Sequence, residues 1–125
     1  MRGASATQDV LDEYPEQKVK VFSVWLPILR SDQGPPGRSA LGRLSDDRAS
    51  HYWDPDKLVA ARLARDARSP QPVQECCVRS GTLWDIAAVY PPGVLWTDRL
   101  PVAIVFDGPV VGKKGAIRSG LMRFQ

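Results

Sequence analysis

The chain has few of the residues on which common enzyme chemistry is built. Its 125 residues include one histidine, two cysteines and two methionines. The cysteines are adjacent, Cys76 and Cys77, so they cannot supply the framework of several disulfides that stabilises small secreted domains. The sequence also contains no Cys-x-x-Cys motif and no Gly-x-Ser-x-Gly nucleophile elbow. These absences argue against dithiol exchange of the usual kind and against a serine hydrolase.

Long apolar runs are missing as well. No stretch approaches the roughly 18 apolar residues that span a bilayer, and the first residues lack the pattern of a secretory signal. We therefore expect a cytoplasmic protein that makes no contact with membranes. Apolar residues make up 43% and charged residues 25% of the chain, as in ordinary globular domains. This length predicts a single domain over residues 1–125, with one core.

Charge is only slightly one-sided, with a formal net charge of +3. The segment from Gly108 to Gln125 carries basic residues and no acidic ones, namely Lys113, Lys114, Arg118 and Arg123. No aromatic residues alternate with these charges, and no known nucleic-acid-reading motif accompanies them. The pattern therefore favours a solvated surface over nucleic-acid binding.

The first part of the chain predicts a helix followed by a buried strand. Apolar residues recur at helical spacing in Gln8 to Glu16, which indicates a short amphipathic helix. Residues Lys18 to Leu29 then read KVKVFSVWLPIL. From Val21 onward this run is apolar on both faces, as in a strand that layers cover on each side. We expect the ladder to fail near Pro27, which has no amide donor.

A second helix is well marked in the segment WDPDKLVAARLARDAR. Asp54 predicts the N-cap, and Pro55 stands where helices accept proline, at the first helical position. Val59, Leu63 and Ala67 line one face of this helix, with Ala60 and Ala64 beside it. A shorter helix is expected after Ser39.

The second half of the chain predicts strands separated by turns. The cysteines lie in a connection from Ser69 to Gly81, which the strand segments TLWDIAAVY and VLW follow around a turn at PPG. LPVAIVF, Leu100 to Phe106, predicts another strand, and Asp107-Gly108 predicts a turn. The last residues predict a short strand and then a helix that presents Ile117, Leu121 and Phe124 on one side.

The order helix, buried strand, helix, strand, strand, helix resembles that of bacterial thioredoxin-like proteins. The segments that carry the resemblance are VLDEYPEQKVKVFSVWLPIL, HYWDPDKLVAARL and LWDIAAVYPPGVLW. The resemblance implies an α/β fold, a truncated thioredoxin-like mixed sheet flanked by helices and shortened at its N-terminus. In that group a first strand ends in Cys-x-x-Cys, and here Met1 falls at the cut. Gly81 and Thr82 stand where thioredoxins have a proline, so the resemblance implies no catalytic residue.

The absent strand has a structural consequence. In the thioredoxin arrangement it would lie between the Lys18–Leu29 strand and the LWDIAAVY strand. Its loss would leave rows of backbone groups without hydrogen-bond partners. The two strands could pair directly, a second copy of the chain could fill the sheet, or a partner protein could donate a strand. We expect a homodimer or another homo-oligomer.

Cys76 and Cys77 are the first candidates for chemistry. Adjacent thiolates can chelate a thiophilic ion or form a vicinal disulfide, whereas the alternative is two partly buried cysteines in a loop. Glu75 would raise and Arg79 would lower the pKa of a neighbouring thiol. The sequence leaves both interpretations open.

His51 and the tryptophans are the remaining candidates. With Asp54 nearby, His51 suggests a general base, but the sequence favours aromatic packing around it, with Asp54 capping the helix. Trp25 and Trp84, together with Trp53 and Trp96, could line a pocket for an apolar ligand, although packing in the core is their commoner role.

These observations predict a non-catalytic binding or interaction protein that is oligomeric and uses no cofactor. The alternative is a thiol-dependent redox protein or a soft-metal-binding protein that uses Cys76 and Cys77.

Overall fold

A computed structural model of the chain describes residues 2–31, 33–67, 71–79 and 81–124. These residues form four α-helices and three two-stranded sheets, so the mixed α/β class expected from the sequence is confirmed. The helices are α1 (Arg2–Glu13), α2 (Arg38–Leu41), α3 (Leu58–Asp66) and α4 (Lys114–Met122). The strands are β1 (Val21–Trp25), β2 (Ala49–Trp53), β3 (Val78–Arg79), β4 (Thr82–Leu83), β5 (Ala87–Val89) and β6 (Val105–Asp107), and a 3-10 turn spans Val110–Gly112.

The strands form separate pairs. β1 and β2 are parallel and in register from Val21–Ala49 to Trp25–Trp53, and the connection between them passes through α2. β3 pairs with β4 and β5 with β6, both antiparallel. In the described residues, β1 and β5 lie in different sheets. The arrangement therefore differs from the single mixed sheet that the sequence predicted, and the two strands that flank the proposed gap do not close up against each other.

The neighbour of β1 is a strand that the sequence analysis did not predict. Residues 49–53, to which the sequence analysis assigned no strand, form β2 beside β1. β1 itself is shorter than the predicted strand, because the chain turns after Trp25: the amide of Ile28 donates to the carbonyl of Leu26. The first helix also begins earlier than predicted, since the alanines of RGASA are strong helix formers.

α3 begins later than predicted, but Asp54 still serves its first turn. Pro55 lies in the turn before the helix, and Lys57 takes a left-handed conformation (φ 57°) at the helix start. The Asp54 carboxylate accepts hydrogen bonds from the amides of Leu58 (2.8 Å), Val59 (2.9 Å) and Ala60 (3.3 Å). The amides of a first helical turn have no partner within the helix. The buried Asp54 carboxylate supplies those partners as predicted, but it does so from three residues before Lys57, the residue at the start of the helix.

The C-terminal half corrects three predictions. The segment VLW, 94–96, is an exposed stretch outside any strand, and the TLWDIAAVY run is broken into β4 and β5. Asp85 breaks it because its left-handed backbone (φ 51°) does not fit a ladder. The short strand expected near Val110 is a 3-10 turn. In α4, Ile117 and Leu121 are buried as predicted, whereas Phe124 lies beyond the helix and is exposed.

Two clusters of buried side chains form the core. The first joins α1, the 3-10 turn and α4, and consists of Ala6, Val10, Val110, Ile117 and Leu121. The second joins α3 to β4 and β6, and consists of Ala64, Ala67, Leu83, Ala103 and Phe106. None of the helices in the ranges that the structure describes is long and apolar enough to cross a membrane.

Arg48 connects the end of α1 to the start of both parallel strands. Its guanidinium donates to the carbonyls of Leu11 (3.0 Å), Tyr14 (2.7 Å) and Gln17 (3.0 Å). Carbonyls at the end of a helix lack amide partners, and a cation there also interacts favourably with the helix dipole. The carbonyl of Arg48 accepts the amide of Val21 (3.0 Å), the first residue of β1. One residue thus determines where α1 ends and where the β1–β2 ladder begins.

We expect Arg48→Ala to lower the free energy of unfolding by about 2 kcal/mol, because several hydrogen bonds to a charged group are lost together. Arg43→Ala is the matched control, since the Arg43 side chain is exposed and makes a single long hydrogen bond to Ser5 (3.3 Å). Urea unfolding followed by circular dichroism measures both. Equal effects of the two substitutions would contradict the role given to Arg48.

Asp46 should make the stability of the fold depend on pH in the acidic range. Hydrogen bonds from the side chain and amide of Arg48 lower the pKa of Asp46 from 3.8 to about 2. Because the folded-state pKa lies below the unfolded value, the carboxylate stabilises the fold above about pH 4, and this contribution is lost as the pH falls through about 2. We expect Asp46→Asn to be less stable than the natural protein at about pH 5 and the difference to close toward pH 2. Asp47→Asn, at the exposed neighbour, should show no such convergence.

Candidate functional site

Cys76 and Cys77 lie in the segment that leads into β3. Their sulfur atoms are in direct contact, and both residues are half-buried. Cys77 has a left-handed backbone (φ 82°), which is uncommon for a residue with a side chain. The amide of Trp84 donates to the carbonyl of Cys77 (3.0 Å), so the hairpin of β3 and β4 holds Cys77 in this conformation.

The backbone of Gly108 lies against Cys77. A Cβ atom built on Gly108 would lie 3.2 Å from Cys77 Sγ and would overlap the carbonyl oxygen of Asp85. Only glycine lets the backbone approach this closely. The Asp85 side chain in turn accepts the amide of Val110 (3.2 Å). The loop after β6 and the turn between β4 and β5 are therefore packed against each other next to Cys77.

Charged groups also connect Glu75, the residue before the cysteines, to the loop that follows β6. The amide of Glu75 donates to Asp107 Oδ1 (2.7 Å). Lys113 Nζ lies between two carboxylates, 2.6 Å from Glu75 Oε2 and 3.0 Å from Asp107 Oδ2. Burial opposes ionisation of Asp107, but hydrogen bonds from the Gly108 amide, Lys113 and the Glu75 amide outweigh it and lower its pKa. The hydrogen bonds to Glu75 and Asp107 raise the pKa of Lys113.

His51 and Trp25 form a second group, on the parallel strands. Trp25 Nε1–H donates to His51 Nδ1 (2.9 Å), and His51 Nε2 donates to the carbonyl of Leu44 (2.9 Å). These bonds specify the tautomer with its proton on Nε2. Asp54, the acid that suggested a general base, is occupied by the first turn of α3. Both ring nitrogens of His51 are hydrogen-bonded within the fold.

The five candidates from the sequence therefore fall into two groups. Trp84 accompanies Cys76 and Cys77 through its backbone amide, while Trp25 accompanies His51. The sequence analysis named Gly108 only as part of a turn and Lys113 only as part of a basic segment, and it did not single out Asp85. Within the described ranges, no group of three or more histidine, cysteine, aspartate or glutamate side chains is arranged to hold a metal ion. The thiolates of the cysteine pair are nevertheless of the type that soft metals prefer.

One edge of β1 and the face beside it form a second candidate site. The amide of Val21 and the carbonyl of Trp25 hydrogen-bond toward the β2 side of the ladder. Because alternate residues direct their backbone groups to opposite edges, the amides and carbonyls of Phe22 and Val24 point away from β2. No strand in the described residues pairs there. We call this the open edge of β1.

The side chains beside the open edge are apolar and exposed. Phe22 is 64%, Val24 36% and Tyr52 50% exposed, and the rings of Phe22 and Tyr52 are 6.2 Å apart. The other face of the two strands carries the Trp25–His51 pair and is half-buried. Parallel strands are usually covered on both faces, so this face is unusual.

No protein family, curated protein or solved structure matches this chain.

We expect Gly108→Ala to destabilise the protein by about 1–3 kcal/mol, because the added methyl group must displace the Asp85 backbone or the Cys77 sulfur. Gly115→Ala is the control: a Cβ at Gly115 meets no atom within 4 Å, and alanine is the better helix former, so this change should be neutral or stabilising by up to about 1 kcal/mol. Thermal and urea unfolding measure both. A neutral Gly108→Ala would contradict the close packing beside Cys77.

Proposed function

We propose that the protein is a non-catalytic binding protein that acts as a homodimer joined through the open edge of β1. The observation that carries the proposal is the coincidence on one strand of backbone groups without a neighbouring strand and exposed apolar side chains. Proteins normally guard such edges with charged residues, proline or a covering loop. The strand Val21–Trp25 contains no charged residue.

A second copy fits this edge in a symmetric way. If two β1 strands pair antiparallel about a two-fold axis at Ser23, Phe22 of each copy lies opposite Val24 of the other. These are the residues whose backbone groups face the open edge, so each such pair can exchange both of its N–H···O bonds. Phe22 and Val24 also lie on the same face, where aromatic and β-branched side chains stabilise each other across strands.

The flanking charges are compatible with this pairing. In the same register, Lys20 lies opposite Leu26 of the second copy, so the two Lys20 side chains do not face each other. Like charges directly opposite in a sheet are destabilising. The result is a four-stranded sheet in the order β2, β1, β1, β2. A symmetric interface of this kind uses one surface twice and closes as a dimer.

The order of elements supports the thioredoxin-like kinship as part of the same proposal. A parallel strand pair with a helical connection (β1, α2, β2) comes first, and an antiparallel pair followed by a helix (β5, β6, α4) comes last. The order from which the resemblance was inferred is retained when β2 and the β3–β4 hairpin are set aside and β6 takes the place of the VLW segment. A shortened thioredoxin-like domain in the cytoplasm, with β1 as its binding strand, is the form of the protein that we propose.

The second group of candidates, His51 with Trp25, supports a non-catalytic function. Both His51 nitrogens are engaged by Trp25 and Leu44, and the Asp54 carboxylate is engaged by three amides of α3. A general base must reach a proton of its substrate. Here Asp54 and His51 are each already hydrogen-bonded to other groups of the fold.

We expect the protein to be a dimer at micromolar concentration and Val24→Lys to weaken the dimer at least tenfold. A lysine on the edge strand places a charge against the second copy, and removes an apolar contact, without altering the ladder to β2. Light scattering and sedimentation equilibrium, in a reducing buffer to exclude disulfide-linked species, measure the change. Leu95→Lys is the matched control, because Leu95 is 79% exposed and lies outside the strands of the sheet.

Two results would count against this proposal. One is a monomer at micromolar concentration, and the other is a dimer that Val24→Lys and Leu95→Lys affect equally. Replacing both Cys76 and Cys77 with serine should leave the dimer intact, because the cysteines lie outside β1. If assembly were lost with the cysteines, the interaction would be thiol-dependent and the open edge would not explain it.

A further inference from the structure

We infer that the contact between Trp25 and His51 is a pH-sensitive switch, which holds the indole ring while His51 is neutral and releases it when His51 takes up a proton. The inference goes beyond the proposed dimer and does not depend on it. His51 is the one histidine of the chain, and both residues are half-buried. Histidine is the side chain whose charge ordinarily changes between about pH 5 and 8.

The hydrogen bond between the two rings requires a neutral imidazole. Trp25 Nε1 lies 2.9 Å from His51 Nδ1, and an indole nitrogen donates a hydrogen bond but cannot accept one. His51 Nδ1 must therefore carry no proton. In an imidazolium both nitrogens carry protons, so two donors would face each other at this distance. Rotation of the charged ring cannot restore the bond, because either nitrogen would present a proton to the indole.

The second ring nitrogen keeps the imidazole in place in both charge states. His51 Nε2 donates to the carbonyl of Leu44 (2.9 Å), a buried residue of the loop after α2. Nε2 carries a proton in the neutral tautomer and in the imidazolium alike. Protonation of His51 therefore leaves the bond to Leu44 intact and breaks the bond to Trp25, so the indole is the group that is released.

The charged groups around His51 lie on the side away from β1. Asp46 and Asp47 line a surface recess that His51 also borders. Asp46 is paired with Arg48, whereas Asp47 is exposed. The Asp54 carboxylate, just after β2, is engaged by the first turn of α3. β1 contains no charged residue, so an imidazolium would face carboxylates across the recess and, toward β1, only the indole donor.

Release of the indole would be transmitted through the backbone of Trp25. Trp25 is the last residue of β1, and its carbonyl accepts the amide of Asp54 (2.9 Å). The carboxylate of Asp54 in turn binds the first amides of α3. We therefore expect the Asp54 amide to respond when the bond between Trp25 and His51 breaks.

The test is a titration of the natural protein from about pH 8 to about pH 5, followed by NMR of the ring nitrogens. At the start we expect a scalar coupling across the hydrogen bond between Trp25 Nε1 and His51 Nδ1. As His51 takes up its proton, this coupling should be lost and the Asp54 amide should shift in parallel. Solvent exchange of the Trp25 indole proton should rise at least about tenfold relative to that of Trp96. Trp96 is 47% exposed and corrects for the effect of pH on exchange itself.

His51→Asn provides the control. The asparagine side chain offers an acceptor oxygen near the position of Nδ1, but it gains no charge in this pH range. The Trp25 indole should therefore stay protected throughout the titration. Release of the indole in His51→Asn as in the natural protein would assign the effect to another group and overturn the inference.

Three results with the natural protein alone would also overturn the inference. The first is a proton on His51 Nδ1 already at about pH 8, and the second is an imidazole that stays neutral down to about pH 5. The third is an indole that keeps its protection after His51 has become charged. None of these readouts uses the oligomeric state, so they leave the proposed dimer to its own test.

Discussion

A β-strand offers a row of amides and carbonyls along each of its two edges, and in this fold β1 satisfies one row. Its inner edge pairs with β2 in a parallel ladder that Arg48 starts at one end. The outer edge, at Phe22 and Val24, has no neighbouring strand among the described residues. Unpaired backbone groups are stable only while water reaches them, and exposed apolar side chains beside them favour burial. This combination is the physical basis of the proposed assembly.

The two sites use different parts of the molecule. The cysteine pair is anchored by the β3–β4 hairpin and by the loop from Asp107 to Lys113, which also packs against α1 through Val110. The open edge depends on β2 and on the contacts of Arg48 with the end of α1. Because α1 contributes to both regions, changes to its packing would disturb both sites, whereas changes to the sulfurs or to Val24 should act on one site alone.

The sequence was informative where local periodicity and capping determine structure. It predicted helices at α3 and α4, because apolar spacing and Asp54 act over a few residues. It was wrong in expecting β1 to be covered on both faces, since Phe22 and Val24 are exposed. It did not predict β2, because ASHYW lacks a clear alternation and is stabilised by pairing with a strand more than twenty residues away. The left-handed backbone of Asp85 and the approach of Gly108 to Cys77 have no local signal either. The cysteines and the Trp25–His51 pair were visible as residue types, but their partners depend on tertiary contacts.

Amide hydrogen exchange of Phe22 and Val24 tests the account most directly. These amides face the open edge, so in a monomer they should exchange at the rate of solvent-exposed groups. If two β1 strands pair, both amides should be protected, and their protection should rise with protein concentration while that of Val21 and Ser23, which face β2, stays constant. Rapid exchange of Phe22 and Val24 at every concentration would contradict the account.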